Sequence, residues 1–232
     1  MFPEYLHNND TEEITRYVRE LVASDELALR AHCQEVSRQT DTSALYVEKR
    51  ALEKAEALKA VFSKMAEGLR ALSQSLSAEA GIFHTQDGQT KFSEVCRSVV
   101  RLEEERQEIL RGIIDLSQVR EELILGVSQI NRALHFLSIA ESLVPKDVQP
   151  HYKKELESVE ALYACLLKCD TAICEIQTNA MTMVESHLPR FTKKLYSAAD
   201  FSHAGNGLDR AAIRSLCGEL LILLERLPKV AF

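Results

Sequence analysis

The side chains best placed to do chemistry are thiols and a few charges. Cys165 and Cys169 stand four residues apart, one helical turn, with Cys174 further along. Two thiolates at that spacing would supply half of a zinc site. No second pair with matching spacing follows, and His187 lies several turns away, so these cysteines read better as small helix filler, and no metal is expected. Glu4 and His7 have the Glu-x-x-His spacing of di-iron bundles. That chemistry requires two such motifs and two further glutamates facing them, which excludes a ferritin-like oxidase. Gly205-Asn206-Gly207 precedes a helix start but lacks the lysine and the strand of a phosphate-binding loop, and reads as a connector. No HExxH and no local nucleophile motif occurs. The expectation is a protein with no catalytic residues, no cofactor and no small-molecule substrate.

Three charges stand where an apolar seam is expected. Phe92, Val99, Arg106, Ile113, Arg120, Val127, Leu134 and Glu141 recur every seven residues. A lone buried charge is costly, so Arg106, Arg120 and Glu141 read as polar seam positions that set register or mark open levels of a bundle. The alternative is an anion or partner site between helices.

The companion row is Val95, Leu102, Ile109, Leu116, Leu123, Ile130, Leu137 and Val144, aliphatic throughout. A seven-residue repeat held this long without proline predicts one long helix over 91–144. Leu110, Ile114 and Ile124 widen its apolar stripe, which suits three or more packed helices. Other helices are predicted at about 10–38, 43–78, 148–188 and 209–227. The first opens on Asn9-Asp10-Thr11, and the polar run Gln39–Ser43 separates it from the second. Pro145 and Pro189 act as stops, with a further short helix, 190–199, allowed after the second of them. The fold class is all-α: an elongated antiparallel bundle of about four long helices plus a short C-terminal one, forming one domain over 1–232.

Composition agrees. Apolar residues make up 46% of the 232, charged residues 27% and aromatics 6%, with no Trp, which is the palette of helix seams. The net charge of −7 argues against nucleic acid and anionic lipid, which need basic surface. The first residues lack a signal peptide's pattern, no stretch is expected to approach the roughly twenty apolar residues needed to span a bilayer, and six cysteines without a CxxC pair read as reduced thiols in the cytoplasm.

Shape and missing motifs together favour a non-enzymatic interaction, scaffold or adaptor protein whose helices bind another protein or a second copy. Its partner surface is expected at Leu110, Ile114, Leu125 and Phe136 on the outer side of the long helix, or at Ile82 and Phe83 in the loop before it. Long antiparallel helices in a chain of this length resemble membrane-curving crescent domains of the BAR type. That resemblance implies a membrane-associated bundle as the second reading, set against the acidic charge. A bundle that holds a metal or small ligand in its core is the third.

Overall fold

The structure, a computed structural model, describes residues 11–76, 85–199 and 209–225. Among them the elements are helical and pack against one another, an all-α helical bundle. In order they are α1 (Thr11–Ser24), α2 (Glu26–Ser75), α3 (Thr85–Leu143), α4 (Gln149–Thr182), a π-helical turn (Met183–His187), α5 (Leu188–Ala199) and α6 (Arg210–Glu225).

Two expected boundaries move. The break between the first helices falls at Asp25, not at 39–43. Asp25 accepts the Ala28 N–H on its carboxylate at 3.0 Å and so caps α2, while its own N–H closes α1 on the Leu21 carbonyl at 2.8 Å. The run Gln39–Ser43 stays helical because its hydroxyls turn inward on the helix's own carbonyls. Thr40 donates to Val36 at 2.7 Å and Thr42 to Arg38 at 2.9 Å. Thr40 is buried this way, at no cost in unmet hydrogen bonds. The second shift is at Pro189, where the helix does not stop. The Leu188 N–H reaches back five residues to the Met183 carbonyl, a widened turn directly before the proline, and the chain continues as α5. Pro145 does end α3, and its carbonyl accepts the N–H groups of Val148 and Gln149 as α4 begins.

Within the chain, expected to form one domain, the helices group into two compact units. The first takes α1, α2 as far as Leu52, α3 from Gln118 and α4 as far as Ala172. Its core includes Ile14, Leu29, Leu123, Leu137, Tyr152 and Leu166. Tyr152 donates its hydroxyl to the Glu26 carboxylate at 3.0 Å, which ties α4 to the start of α2. The second unit takes α2 from Glu53, α3 as far as Ser117, α4 from Ile173, the π-helical turn, α5 and α6. Leu58, Met65, Leu69, Ile109, Leu116 and Ile213 are buried there.

The aliphatic row of α3 is the core row expected of it: Val95, Leu102, Ile109, Leu116, Leu123, Ile130, Leu137 and Val144 are all buried. Of the companion row expected beside it, Ile113 is buried, but Phe92, Val99, Val127 and Leu134 are only half-buried. The residues that turn inward are Glu105, Val119, Gly126, Ala133 and Ala140, three positions after each aliphatic residue rather than four. The reason is close approach. In the second unit a side chain at Gly112, in that same row, would meet Leu58 Cδ1 at 2.9 Å, whereas in the first, one at Gly126 would make only ordinary contact with Leu166 Cδ1, at 3.6 Å. Small residues let neighbouring helices close on this row, and the row carrying Arg106, Arg120 and Glu141 rotates to the margin.

Candidate interaction surface

Rotation of the rows resolves the three charges. Arg106 is half-buried and pairs with Glu103 on its own helix at 2.9 Å, in the second unit. In the first unit, Arg120 donates to Asp170 of α4 at 2.8 Å, both about a third exposed. Glu141 is half-buried. None of the three is a charge sealed into a seam.

The charge that is sealed in was not singled out from the sequence. Glu105 of the second unit, the last of the run Glu103-Glu104-Glu105, keeps a side chain only 1% exposed. Arg101 donates to its carboxylate at 2.9 Å and to the Lys64 carbonyl at 3.2 Å. Burial raises the Glu105 carboxyl above the usual glutamate range, against the opposing pull of Arg101. Its place in the small-residue row is the signal that would have found it.

Cys33, Cys169 and Cys217 are buried thiols, and Cys165 is half-buried. In the first unit, Cys165 donates its S–H to Glu48 at 3.3 Å, and burial first, then that carboxylate, raises its pKa. Burial pushes Cys169 up to about 12, with Glu48 adding to it, and Cys33 up to about 12, with Glu155 adding to it. Cys217 of the second unit is pushed up to about 11 by burial. Metal ligation and nucleophilic attack both use the thiolate, which these surroundings disfavour. Among the described residues no group of three or more His, Cys, Asp and Glu is placed to hold a metal ion.

The outer faces carry exposed apolar side chains. Of the predicted partner residues, Ile114 in the second unit is 58% exposed and Leu125 in the first is 64% exposed, while Leu110 is half-buried. Ile82 and Phe83 lie outside the described residues. Phe136 is wrongly placed by the sequence reading: it is fully buried. Its ring meets the His32 imidazole edge-on, with centroids 5.3 Å apart, and His32 in turn meets Tyr17 of α1 at 6.2 Å. What the reading lacked is α1, which turns at Asp25 and lies beside this part of α2 and α3. Thr11 of α1 shares a hydrogen bond with His135 of α3 at 3.1 Å. Burial holds the His32 pKa below its ordinary value, against the opposing effect of Glu35, so the ring in this stack is neutral near pH 7.

Beyond α1 in the first unit, α2 and α3 expose Tyr46 (62%), Ile124 (56%) and Leu125. The antiparallel pairing of these helices runs from His32 beside Phe136 to Arg50, which donates to both oxygens of Glu122 at 2.6 Å. That pairing puts Tyr46 level with Ile124 and Leu125. The Arg50 guanidinium also lies 5.9 Å from the centre of the Tyr46 ring. Tyr46 was missed because the buried steps along α2, at Val36, Thr40, Ala44, Val47 and Ala51, do not keep a strict repeat. Its place just off those steps is the only signal the sequence carries.

One correction concerns apolar length. Within α3, Phe92–Leu143 contains a window long and apolar enough, by length and composition alone, to cross a membrane, a test that the core helix of a bundle passes equally. Only 39% of that window is buried: Leu123, Ile130, Ala133, Phe136, Leu137 and Ala140 are buried in the first unit, while Ile124 and Leu125 are exposed. Compared with protein-family models, with curated proteins and with solved structures, the chain matches none.

Proposed function

We propose that this chain is a non-enzymatic interaction or scaffold protein of the cytoplasm that binds another protein through the outer faces of its helices. The observation that carries this reading is the group Tyr46, Ile124 and Leu125: three large apolar side chains, more than half exposed, at one level of two adjacent helices. A folded chain keeps such groupings small unless something covers them. The cysteines with raised pKa are held as thiols, and the interhelical charges Arg50, Lys54 and Arg120 are closed in pairs with Glu122, Asp115 and Asp170.

Native mass spectrometry of the protein, drawn gently from its own cells, tests the reading. A second protein in fixed ratio to this chain is the expected result. A bare monomer, or a chain carrying only a lipid or small-molecule mass, overturns it.

A further inference from the structure

We propose that Arg101 is a proton-set gate on the α2–α3 seam of the second unit, closed across an inner cavity while the Glu105 carboxylate is ionised and swung out to solvent when that carboxyl takes up a proton. The device belongs to the second unit and does not depend on the interaction reading above. Its parts are a buried acid, a half-exposed base and two cavities that share a wall. The Glu105 side chain is 1% exposed, whereas that of Arg101, four residues earlier on α3, is 45% exposed. Arg101 donates from Nε to Glu105 at 2.9 Å and from Nη2 to the Lys64 carbonyl of α2 at 3.2 Å. Three guanidinium atoms stand 3.2, 3.3 and 3.4 Å from where a Cβ on Gly68 would be, so the group lies face-on over α2 at a residue with no side chain to hold it off.

Behind the guanidinium is a cavity of about 30 Å³, room for one water-sized group, with Met65, Leu69, Leu102 and Glu105 among its walls. Outside it is a cleft of about 270 Å³, lined in part by Ser75, Glu94 and Arg97. Gly68, Leu72, Ser98 and Arg101 line both. Of these four only Arg101 has a long side chain already half in solvent, so its departure is what joins the inner cavity to the outer cleft.

The charges that act on Glu105 are Arg101 and Glu108 of α3 and Lys64 of α2, and Lys64 itself reaches Glu108 at 3.2 Å. Glu94 and Arg97 share the outer cleft with Arg101. Burial outweighs the pull of the two cations, so Glu105 gains its proton above the ordinary glutamate range. That proton replaces a charge-assisted hydrogen bond by a neutral one, roughly half as strong, while the guanidinium regains water by leaving. Because the folded chain holds the proton more tightly than the unfolded chain does, acid opens the gate without unfolding the unit. The stability this group contributes is fully present below the ordinary glutamate range and is lost as pH rises through the raised value.

The test is NMR of the full chain labelled with carbon-13 and nitrogen-15, followed from about pH 7.5 down to about pH 4. The Glu105 Cδ signal is assigned by its loss in Glu105→Gln, and the Arg101 Nε–H signal by its loss in Arg101→Lys. The Glu105 midpoint should lie above the ordinary glutamate value of about 4.3. With that same midpoint the Arg101 Nε–H should move from a bonded to a solvent position and exchange with water about tenfold faster or more. In Glu105→Gln it should stand at the solvent position at every pH, and in Glu108→Gln the coupled movement should persist. An Arg101 signal that stays put while Glu105 titrates, a Glu105 midpoint at or below the ordinary value, or a movement lost in Glu108→Gln overturns the proposal. So does a bonded Arg101 signal in Glu105→Gln; should that variant fail to fold, the two signals of the unaltered chain decide.

Discussion

Phe136→Ala should cost about 3–5 kcal/mol of folding stability, read as a fall in the urea midpoint at unchanged slope. The ring is fully buried in the first unit, and its removal leaves space where α2 and α3 meet beside α1. It also removes the partner on which His32 packs edge-on, and His32 is the ring that reaches Tyr17 of α1. An edge-to-face contact of this kind adds on the order of 0.5–1.5 kcal/mol to the burial of the ring itself. The loss should therefore lie toward the upper part of the range. A midpoint equal to that of the unaltered chain would place Phe136 at the surface, as the outer side of a lone α3 would have it.

Leu123→Ala is the second large effect, about 2–5 kcal/mol by the same measurement. Leu123 is fully buried in the middle of the aliphatic row, with Gly126 and Leu166 closing the helix contact one turn away. Arg120→Ala, three residues from Leu123 on the same helix, should cost no more than about 1 kcal/mol, because its pair with Asp170 is partly solvated on both sides. If instead the arginine variant were the costlier of the two, the charged row would be the seam and the small-residue row the margin.

How much of this was legible in the sequence follows from which residues carry a local signal. The aliphatic row from Val95 to Val144 repeats every seven residues without exception, and it is buried throughout. Pro145 stops a helix because nothing around it offers an alternative. Pro189 was read the same way, but a widened turn bonded five residues back depends on Met183 and Leu188, neither of which advertises it. Asp25 outweighed Gln39–Ser43 as a boundary because a carboxylate three residues ahead of an N–H caps a helix, whereas threonine hydroxyls are easily absorbed within one. The choice between the two companion rows turned on size rather than polarity. Val99, Ile113, Val127 and Leu134 made one row look apolar; Gly112, Gly126, Ala133 and Ala140 let neighbours close on the other. The exposure of Leu125 and Ile114 followed from their distance from the aliphatic row. The burial of Phe136 depended on α1 folding back, which no spacing within α3 records.

In the proposed function the exposed side chains of Tyr46, Ile124 and Leu125 serve a partner and not the fold. Urea unfolding of the double variant Ile124→Gln with Leu125→Gln tests it most directly. The account predicts a stability within about 0.5 kcal/mol per position of the unaltered chain, as for exposed sites without special roles. A loss of several kcal/mol would show that these side chains belong to the core, and would contradict their assignment to a partner surface.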